Sequence, residues 1–266
     1  IDVMVGHWEF TYKENEVLSN VALFKGDFIG QNVRVKEDSL MDDGYAKLVE
    51  TYDGRGLYDE DTGHAFQPYV IREVGGARIC VVGQAFPRTA NANPQEFFPD
   101  WSFGLREDDM IELVESIRED EKPDAIVLLS HNGMDVDVKM AERVPGLNAV
   151  FGGHTHDGVP KPLKVKNVEG NECLVTNAGS NGKFLGVMDF DIDGVILNTT
   201  KTSSKAASRR CITTRAGWAK PTRKFLTKNW LSQTVRFTGA ATSWAPGTRF
   251  YVTHCKKNTR PKRWCH

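Results

Sequence analysis

Four of the seven histidines in this chain follow short apolar runs at the points where those runs end. His154 and His156 come after Ala149–Gly152, and Gly152 with Gly153 allows a sharp turn before them. Imidazole is the commonest protein ligand for zinc-type and manganese-type metals. A His-x-His pair alone is equally compatible with two solvated loop histidines.

Two more apolar runs deliver histidine in the same way, and they favour a metal site. The run Ala125–Leu129 leads to His131, and the run Asp2–Val5 leads to His7. The carboxyl ends of strands in an α/β sheet are where such folds place their chemistry. A histidine that served only the core would be expected inside an element, so we predict that the four converge on metal.

The elements that would position these residues alternate between strands and helices and then give way to hairpins. This order predicts a mixed-sheet sandwich with outer helices. Gly75-Gly76 indicates a hairpin turn, and Pro87–Gly104 has no periodicity and is predicted to be a long loop. The main predicted helices are 14–24, 106–119 and 135–144, and the predicted strands include 28–33, 69–74, 77–84, 147–151, 163–168, 173–176 and 186–192.

Length and composition indicate a globular protein of one or two domains. The 266 residues are 40% hydrophobic, and no run approaches the ~18 apolar residues of a membrane span. The five cysteines show no Cys-x-x-Cys spacing, so a zinc knuckle or a redox pair is not expected. Because residue 1 falls inside a predicted strand, we expect an N-terminally truncated domain.

The segment 195–266 differs sharply from the rest in charge. It holds sixteen Lys and Arg and no acidic residue, although the whole chain has a net charge of only −1. One interpretation is a basic nucleic-acid-binding module with interleaved aromatic residues. We favour out-of-frame translation, which predicts an unfolded tail at 195–266 after a partial catalytic domain at 1–194, and no nucleic-acid partner.

Five stretches of the chain resemble a known family. They are GHWEFTY at 6–12, NPQEFFPDW at 93–101, SHNGMDVD at 130–137, GGHTHDG at 152–158 and TNAGSNGKFLG at 176–186. Together they resemble the calcineurin-like metallophosphoesterases, which include the 5′-nucleotidases, and most of all their SoxB-type thiosulfohydrolase branch. The resemblance runs from residue 1 to about residue 194, and it implies an α/β fold, the four-layer α-β-β-α sandwich.

The resemblance also implies which residues bind metal. His131, His154 and His156 correspond to metal ligands, and His7 stands where the superfamily has a ligating Asn. Two divalent ions are expected, manganese by preference, with further carboxylate ligands from motifs absent from this sequence. We therefore expect this chain alone to bind metal weakly and to be inactive.

Four further predictions concern the residues around the metal. Glu9 is expected to orient a histidine, and Asn132 to donate a hydrogen bond to the substrate or the attacking water; the alternatives are a solvated acid and a turn residue. Trp8 replaces the acid–base histidine of the phosphoesterases, and an indole cannot shuttle protons near neutral pH. In the small-residue loop after residue 176, backbone N–H groups could cradle an anion, or the loop could be only a turn. Its candidate substrate-binding residues are Asn177, Gly179, Asn181 and Lys183.

The function implied by the SoxB branch is hydrolysis of a sulfonate group from a cysteine-bound thiosulfonate, which releases sulfate. The implied partner is a SoxYZ-type sulfur carrier protein, and the implied location is the periplasm, with a monomer and no membrane association. The alternative enzyme is a 5′-nucleotidase-type phosphoesterase, against which Trp8 argues. The alternative of another class is nucleic-acid binding through the basic segment.

Overall fold

The structure is a computed structural model that describes residues 1–41, 43–52, 59, 61–74, 77–180, 186–190, 201–202, 233–239 and 248–254. Within those residues it contains six α-helices and fourteen β-strands, besides short 3₁₀ and π turns. The helices are α1 Glu14–Leu23, α2 Glu37–Leu40, α3 Asp43–Tyr52, α4 Thr89–Ala92, α5 Glu107–Ser116 and α6 Met134–Arg143. The strands are β1 Val3–Val5, β2 Asp27–Phe28, β3 Val33–Val35, β4 Tyr69–Val74, β5 Ala77–Gln84, β6 Trp101–Phe103, β7 Ala125–Ser130, β8 Ala149–Gly152, β9 Leu163–Lys166, β10 Glu172–Asn177, β11 Gly186–Phe190, β12 Lys201–Thr202, β13 Gln233–Gly239 and β14 Thr248–His254.

Two six-stranded sheets form the centre of the fold. One has the order β12-β11-β14-β13-β1-β2 and the other the order β4-β5-β7-β8-β10-β9. In the second sheet β5, β7, β8 and β10 are parallel neighbours, so their carboxyl ends meet at one edge. β4 and β9 pair antiparallel on its two flanks.

Alternation along β7 shows how the layers are built. Val127 and Leu129 belong to the core between the two sheets, together with Val3 and Val5 of β1. Ile126 and Leu128 belong instead to a second core beneath α5 and α6. Because a strand sends successive side chains to opposite faces, a central strand covered on both sides must be apolar throughout.

A third core joins the outer face of β1 and β2 to α1 and α3. Phe10, Phe28, Phe66 and Trp101 pack here mostly edge to face, with ring centroids 4.9–6.4 Å apart. The layers therefore run from helices to sheet to sheet to helices. This confirms the four-layer α-β-β-α sandwich.

Several predicted boundaries differ from the observed ones. A single strand is predicted at 28–33, but the structure has two short strands, β2 and β3. Residues 29–32 form a loop between them, in which the Asn32 side chain hydrogen-bonds to the backbone of Ala85 and Gly104. The loop predicted at 87–104 contains α4 and β6, and Phe98 and Trp101 carry it into the core. The predicted β4–β5 hairpin is confirmed by antiparallel pairing, although its turn at residues 75–76 lies outside the described residues.

The basic segment contributes three strands where the sequence predicts none. β13 pairs antiparallel with β1 and β14, and β14 also pairs with β11. β-Branched and aromatic residues favour extended strands. A run such as Thr-Val-Arg-Phe at 234–237 therefore pairs readily through its backbone hydrogen bonds. The remainder of 195–266 lies outside the described residues, and out-of-frame translation stays a prediction.

Candidate metal centre

Three histidines from three separate strand ends meet at one edge of the sandwich. His7, His131 and His154 each offer a ring nitrogen, and these three atoms all lie within 4.8 Å of one another. The ring centroid of His7 is 4.4 Å from that of His131 and 4.9 Å from that of His154. The sequence predicts that these three converge, and the structure brings them together.

The strands fix where each imidazole stands. His7 follows β1 after one glycine, and His131 follows β7 directly, where its backbone N–H donates to the Gln84 carbonyl at 2.9 Å. His154 follows β8 after Gly153 and adopts a left-handed backbone with φ of 68°. Because the two sheets pack face to face, β1 contacts β5 and β7, and the histidines that follow β1, β7 and β8 meet at one edge.

Burial of the cluster favours the neutral form of His154, the form that binds a metal. His131 is 1% exposed and His7 is 9% exposed. Burial lowers the pKa of His154, and the neighbouring positive charge of His156 lowers it further. His154 Nδ1 is buried and makes no hydrogen bond to the described residues. A neutral ring nitrogen in this position is a fit donor for a divalent ion.

His156 stands apart from the three clustered histidines. Its side chain is exposed, its φ is 64°, and it is absent from the cluster of ligand atoms found among the described residues. Thr155 explains the geometry, because its hydroxyl accepts from the Met134 N–H and donates to the Asp157 carboxylate. That anchor holds the loop against α6 between two left-handed residues. The expected convergence of all four histidines therefore becomes a convergence of three.

Glu9 supports the His7 segment through the backbone. It is 3% exposed, and its Oε2 accepts a hydrogen bond from the His7 backbone N–H at 2.9 Å. The sequence predicts that Glu9 orients a histidine. The observed contact is to the main chain of that histidine, which sets the direction in which its side chain leaves β1.

Two aromatic rings flank the cluster. Trp8 is 51% exposed and lies beside His7, with ring centroids 5.0 Å apart. Phe86 stacks on His154 at 4.0 Å with an interplanar angle of 24°, and it also contacts His7 at 4.7 Å. The sequence singles out Trp8 but gives no signal for Phe86, since its place depends on the pairing of β5 with β7.

A buried polar network lies beneath His131. Asn132 is 5% exposed, and its backbone N–H donates to Ser130 Oγ at 3.1 Å. Ser130 Oγ in turn donates to Asp137 on α6. Burial raises the pKa of Asp137 to about 7, while the side chains of Ser130 and Asn132 act in the opposite direction. Sequence analysis treats Asp137 only as part of a helix and misses this network.

The predicted anion loop is described only in part. Asn177 is 2% exposed and donates to the Gly153 carbonyl, and its Oδ1 accepts from the Gly179 N–H. Gly179 N–H also donates to the Asp157 carbonyl. These contacts tie the loop after β10 to the histidine loop after β8. Asn181 and Lys183 lie outside the described residues, so their predicted contribution to substrate binding stays a prediction.

The donor set fits a divalent transition metal. Three imidazoles at strand ends supply the nitrogen ligands that zinc, manganese and related ions accept. Within the described part of the chain this cluster contains no carboxylate, and carboxylates are what would favour manganese.

No helix among the described residues is long and apolar enough to span a bilayer.

Comparison with known proteins finds nucleotide phosphoesterases, 5′-nucleotidases and a sulfate thiohydrolase. The chain is 33% identical over 133 residues to the trifunctional nucleotide phosphoesterase YfkN of Bacillus subtilis, a match that covers 48% of this chain and 9% of YfkN. A solved structure of the sulfate thiohydrolase SoxB from Thermus thermophilus is 30% identical with a TM-score of 0.61, and the match covers 76% of this chain and 32% of SoxB. A 5′-nucleotidase precursor from Thermus thermophilus is 25% identical with a TM-score of 0.57, at 76% and 38% coverage. No family model matches the chain.

These likenesses place the chain in the calcineurin-like phosphoesterase and 5′-nucleotidase superfamily, whose members are metal-dependent hydrolases. SoxB is one distant neighbour within that group. The chain spans well under half the length of each relative named here.

Proposed function

We propose that this chain is part of a metal-dependent phosphoester hydrolase of the 5′-nucleotidase type. The observation that carries the proposal is the meeting of His7, His131 and His154 at the strand ends of the four-layer sandwich. Nucleotide phosphoesterases dominate the relatives, and they support this function better than the sulfonate hydrolysis that the sequence motifs put first.

The three imidazoles would hold a divalent ion, and the rest of the site would position them. When bound, such an ion polarises a substrate oxygen and lowers the pKa of a coordinated water toward neutrality. Glu9 fixes the chain direction at His7, and the bond from the His131 N–H to Gln84 fixes the end of β7. Two ions, the number the superfamily uses, need more ligands than three histidines. We propose manganese as the metal only on the resemblance to the SoxB-type branch and the further carboxylate ligands it implies, because the three imidazoles alone would suit zinc equally well.

Asn132 is placed to donate to a substrate oxyanion or to the attacking water. Its side-chain oxygen and nitrogen are buried, and the amide interacts with the Asp137 carboxyl group but makes no hydrogen bond of good geometry within the described residues. A buried amide without a strong partner costs free energy, and functional sites are where such costs are found. The same amide would be satisfied by a substrate oxygen.

A second candidate is the sulfonate hydrolysis of the SoxB branch, and two observations favour it. The SoxB structure has a higher identity and a higher TM-score to this chain than the 5′-nucleotidase precursor structure has. Trp8 places a half-exposed indole beside His7, and indole can shape a pocket but cannot transfer a proton near pH 7. The substrate would then be a thiosulfonated cysteine on a SoxYZ-type carrier protein in the periplasm.

One activity assay with two separate substrates distinguishes the two candidate functions. The protein, expressed at the full length that its gene encodes and loaded with Mn²⁺, is given AMP in one arm and a peptide with a thiosulfonated cysteine in the other. Phosphate release from AMP with no sulfate release supports the nucleotidase type. Sulfate release without AMP turnover would replace it with the sulfonate reaction, and a Trp8→His variant should then gain AMP turnover.

A control variant keeps the assay interpretable. His131→Ala removes a buried imidazole of the cluster, so both activities should be lost if either depends on the metal. Retention of either activity in His131→Ala would show that the three-histidine cluster is not the active site.

A further inference from the structure

Asp137 is a buried carboxyl group that the proposed chemistry does not use. It lies on α6, is 0% exposed, and shares that helix with Met140 and Ala141 of the apolar core. Burying a carboxyl group either costs folding free energy or shifts its protonation, unless hydrogen bonds compensate. A group this costly is expected where its contacts hold something in place.

Its first oxygen reaches the end of β7. Ser130 Oγ donates to Asp137 Oδ1, and the same hydroxyl accepts from the Asn132 backbone N–H at 3.1 Å. His131 stands between these two residues. The carboxyl group therefore fixes both neighbours of one clustered histidine through a single hydroxyl.

Its second oxygen reaches the end of β8. A Cβ added to Gly152 would lie 2.2 Å from Asp137 Oδ2 and 3.2 Å from the Thr176 carbonyl oxygen. Only a glycine leaves room for the carboxyl group at this point. Gly152 is two residues before His154, so the carboxyl group packs against the segment that carries a second clustered histidine.

We propose that Asp137 is a positioning residue that sets the ends of β7 and β8 relative to each other and so aligns His131 with His154. The inference rests on the proposed metal centre for its functional meaning, but the positioning itself is a property of the chain alone. It explains why an acid occurs on the buried face of α6 next to Met140 and Ala141, which are apolar.

Amide hydrogen exchange on the metal-free chain tests the positioning directly. In Asp137→Ala the amides of His131 and Asn132 should exchange at least tenfold faster relative to the β5 amides, because their anchors at Gln84 and Ser130 loosen. Asp137→Asn keeps the shape and an acceptor for Ser130 Oγ, so it should restore most of the protection.

Met140→Ala is the matched control, since Met140 is buried on the same helix but belongs to the apolar core. It should speed exchange throughout the second sheet and not selectively at the ends of β7 and β8. If Asp137→Ala and Met140→Ala change the His131 and Asn132 amides alike relative to β5, the inference is overturned.

Metal binding supplies the second measurement. The affinity of the chain for Mn²⁺ and Zn²⁺ should fall about 10–100-fold in Asp137→Ala, the range typical of residues that orient ligands, and less in Asp137→Asn. An unchanged affinity in Asp137→Ala, in a chain that does bind the ion, would overturn the inference. A wild-type chain that binds neither ion would count against the proposed function, while the exchange result decides the positioning role by itself.

Discussion

Replacing Gly152 by alanine adds one methyl group at the most crowded point of the candidate site. The added Cβ would lie 2.2 Å from Asp137 Oδ2, about 1 Å inside an ordinary carbon–oxygen contact. The carboxyl group cannot swing away freely, because Ser130 Oγ holds its other oxygen. Either that hydrogen bond breaks or the end of β8 moves outward, and His154 moves with it.

The size of the effect follows from two contributions. Overpacking in a buried site costs about 1–3 kcal/mol. Leaving a buried hydrogen-bonding group unsatisfied costs about 1–3 kcal/mol more. We therefore expect Gly152→Ala to lower the free energy of unfolding by about 3 kcal/mol, which is roughly 6–12 °C in melting temperature for a domain of this size.

Thermal and urea unfolding of four variants measure this cost: Gly152→Ala, Asp137→Ala, the double variant and Gly30→Ala. Gly30→Ala is the matched control, since a Cβ there would meet Val33 at an ordinary 3.4 Å, and it should shift stability by less than about 1 kcal/mol. In the double variant Gly152→Ala with Asp137→Ala the clash is gone, so its cost should fall well below the sum of the single costs. Additive costs, or a Gly152→Ala protein as stable as Gly30→Ala, would refute the placement of the carboxyl group against β8.

Three other predictions concern separate parts of the molecule. Phe86→Ala removes the ring stacked on His154, a contact of a kind worth about 0.5–1.5 kcal/mol. The affinity for Mn²⁺, measured by competition with a chelator, should therefore fall about 2–12-fold. Phe86→Tyr keeps the ring and should bind Mn²⁺ about as well as the wild type does. Burial raises the pKa of Glu14 to about 8 from 4.5, so the folded chain keeps a proton that the unfolded chain releases, and stability should fall as pH rises from 4.5 to 8. In urea unfolding at pH 5, 6.5 and 8, Glu14→Gln should flatten this fall, and an equally steep fall in the variant would contradict the assignment. Sequencing the coding DNA after Asp193 should show an open frame with acidic residues displaced by two bases; a single intact frame with ordinary codon usage would revive a basic nucleic-acid-binding module.

The sequence predicts the sandwich and most of the metal cluster for identifiable physical reasons. Apolar runs such as 125–129 can only be central strands or buried helices, and the residue that follows each run is set at the edge of the sheet. That is why His7, His131 and His154 could be singled out, together with His156, which does not join them. Hairpin pairing of β4 with β5 likewise follows from local turn chemistry.

What the sequence does not reveal depends on contacts between distant segments. Phe86 and Asp137 reach the site only because β5, β7 and β8 pair in one particular register. His156 has the same spacing and residue type as a ligand, yet the Thr155 anchor to α6 leaves it exposed. Residues 29–32 lie between the apolar Phe28 and Val33, which suggests one continuous strand, but hydrogen bonds from the Asn32 side chain hold these residues in a loop.

Metal binding by the three-histidine cluster is the central claim, and equilibrium dialysis of the chain against Mn²⁺ and Zn²⁺ tests it most directly. The wild-type chain should bind an ion weakly but measurably, and its affinity should fall by more than about tenfold in His131→Ala and in His154→Ala but change little in His156→Ala. Equal retention by wild type, His131→Ala and His154→Ala would contradict the account, because the bound ion would then lie somewhere other than at the meeting point of β1, β7 and β8.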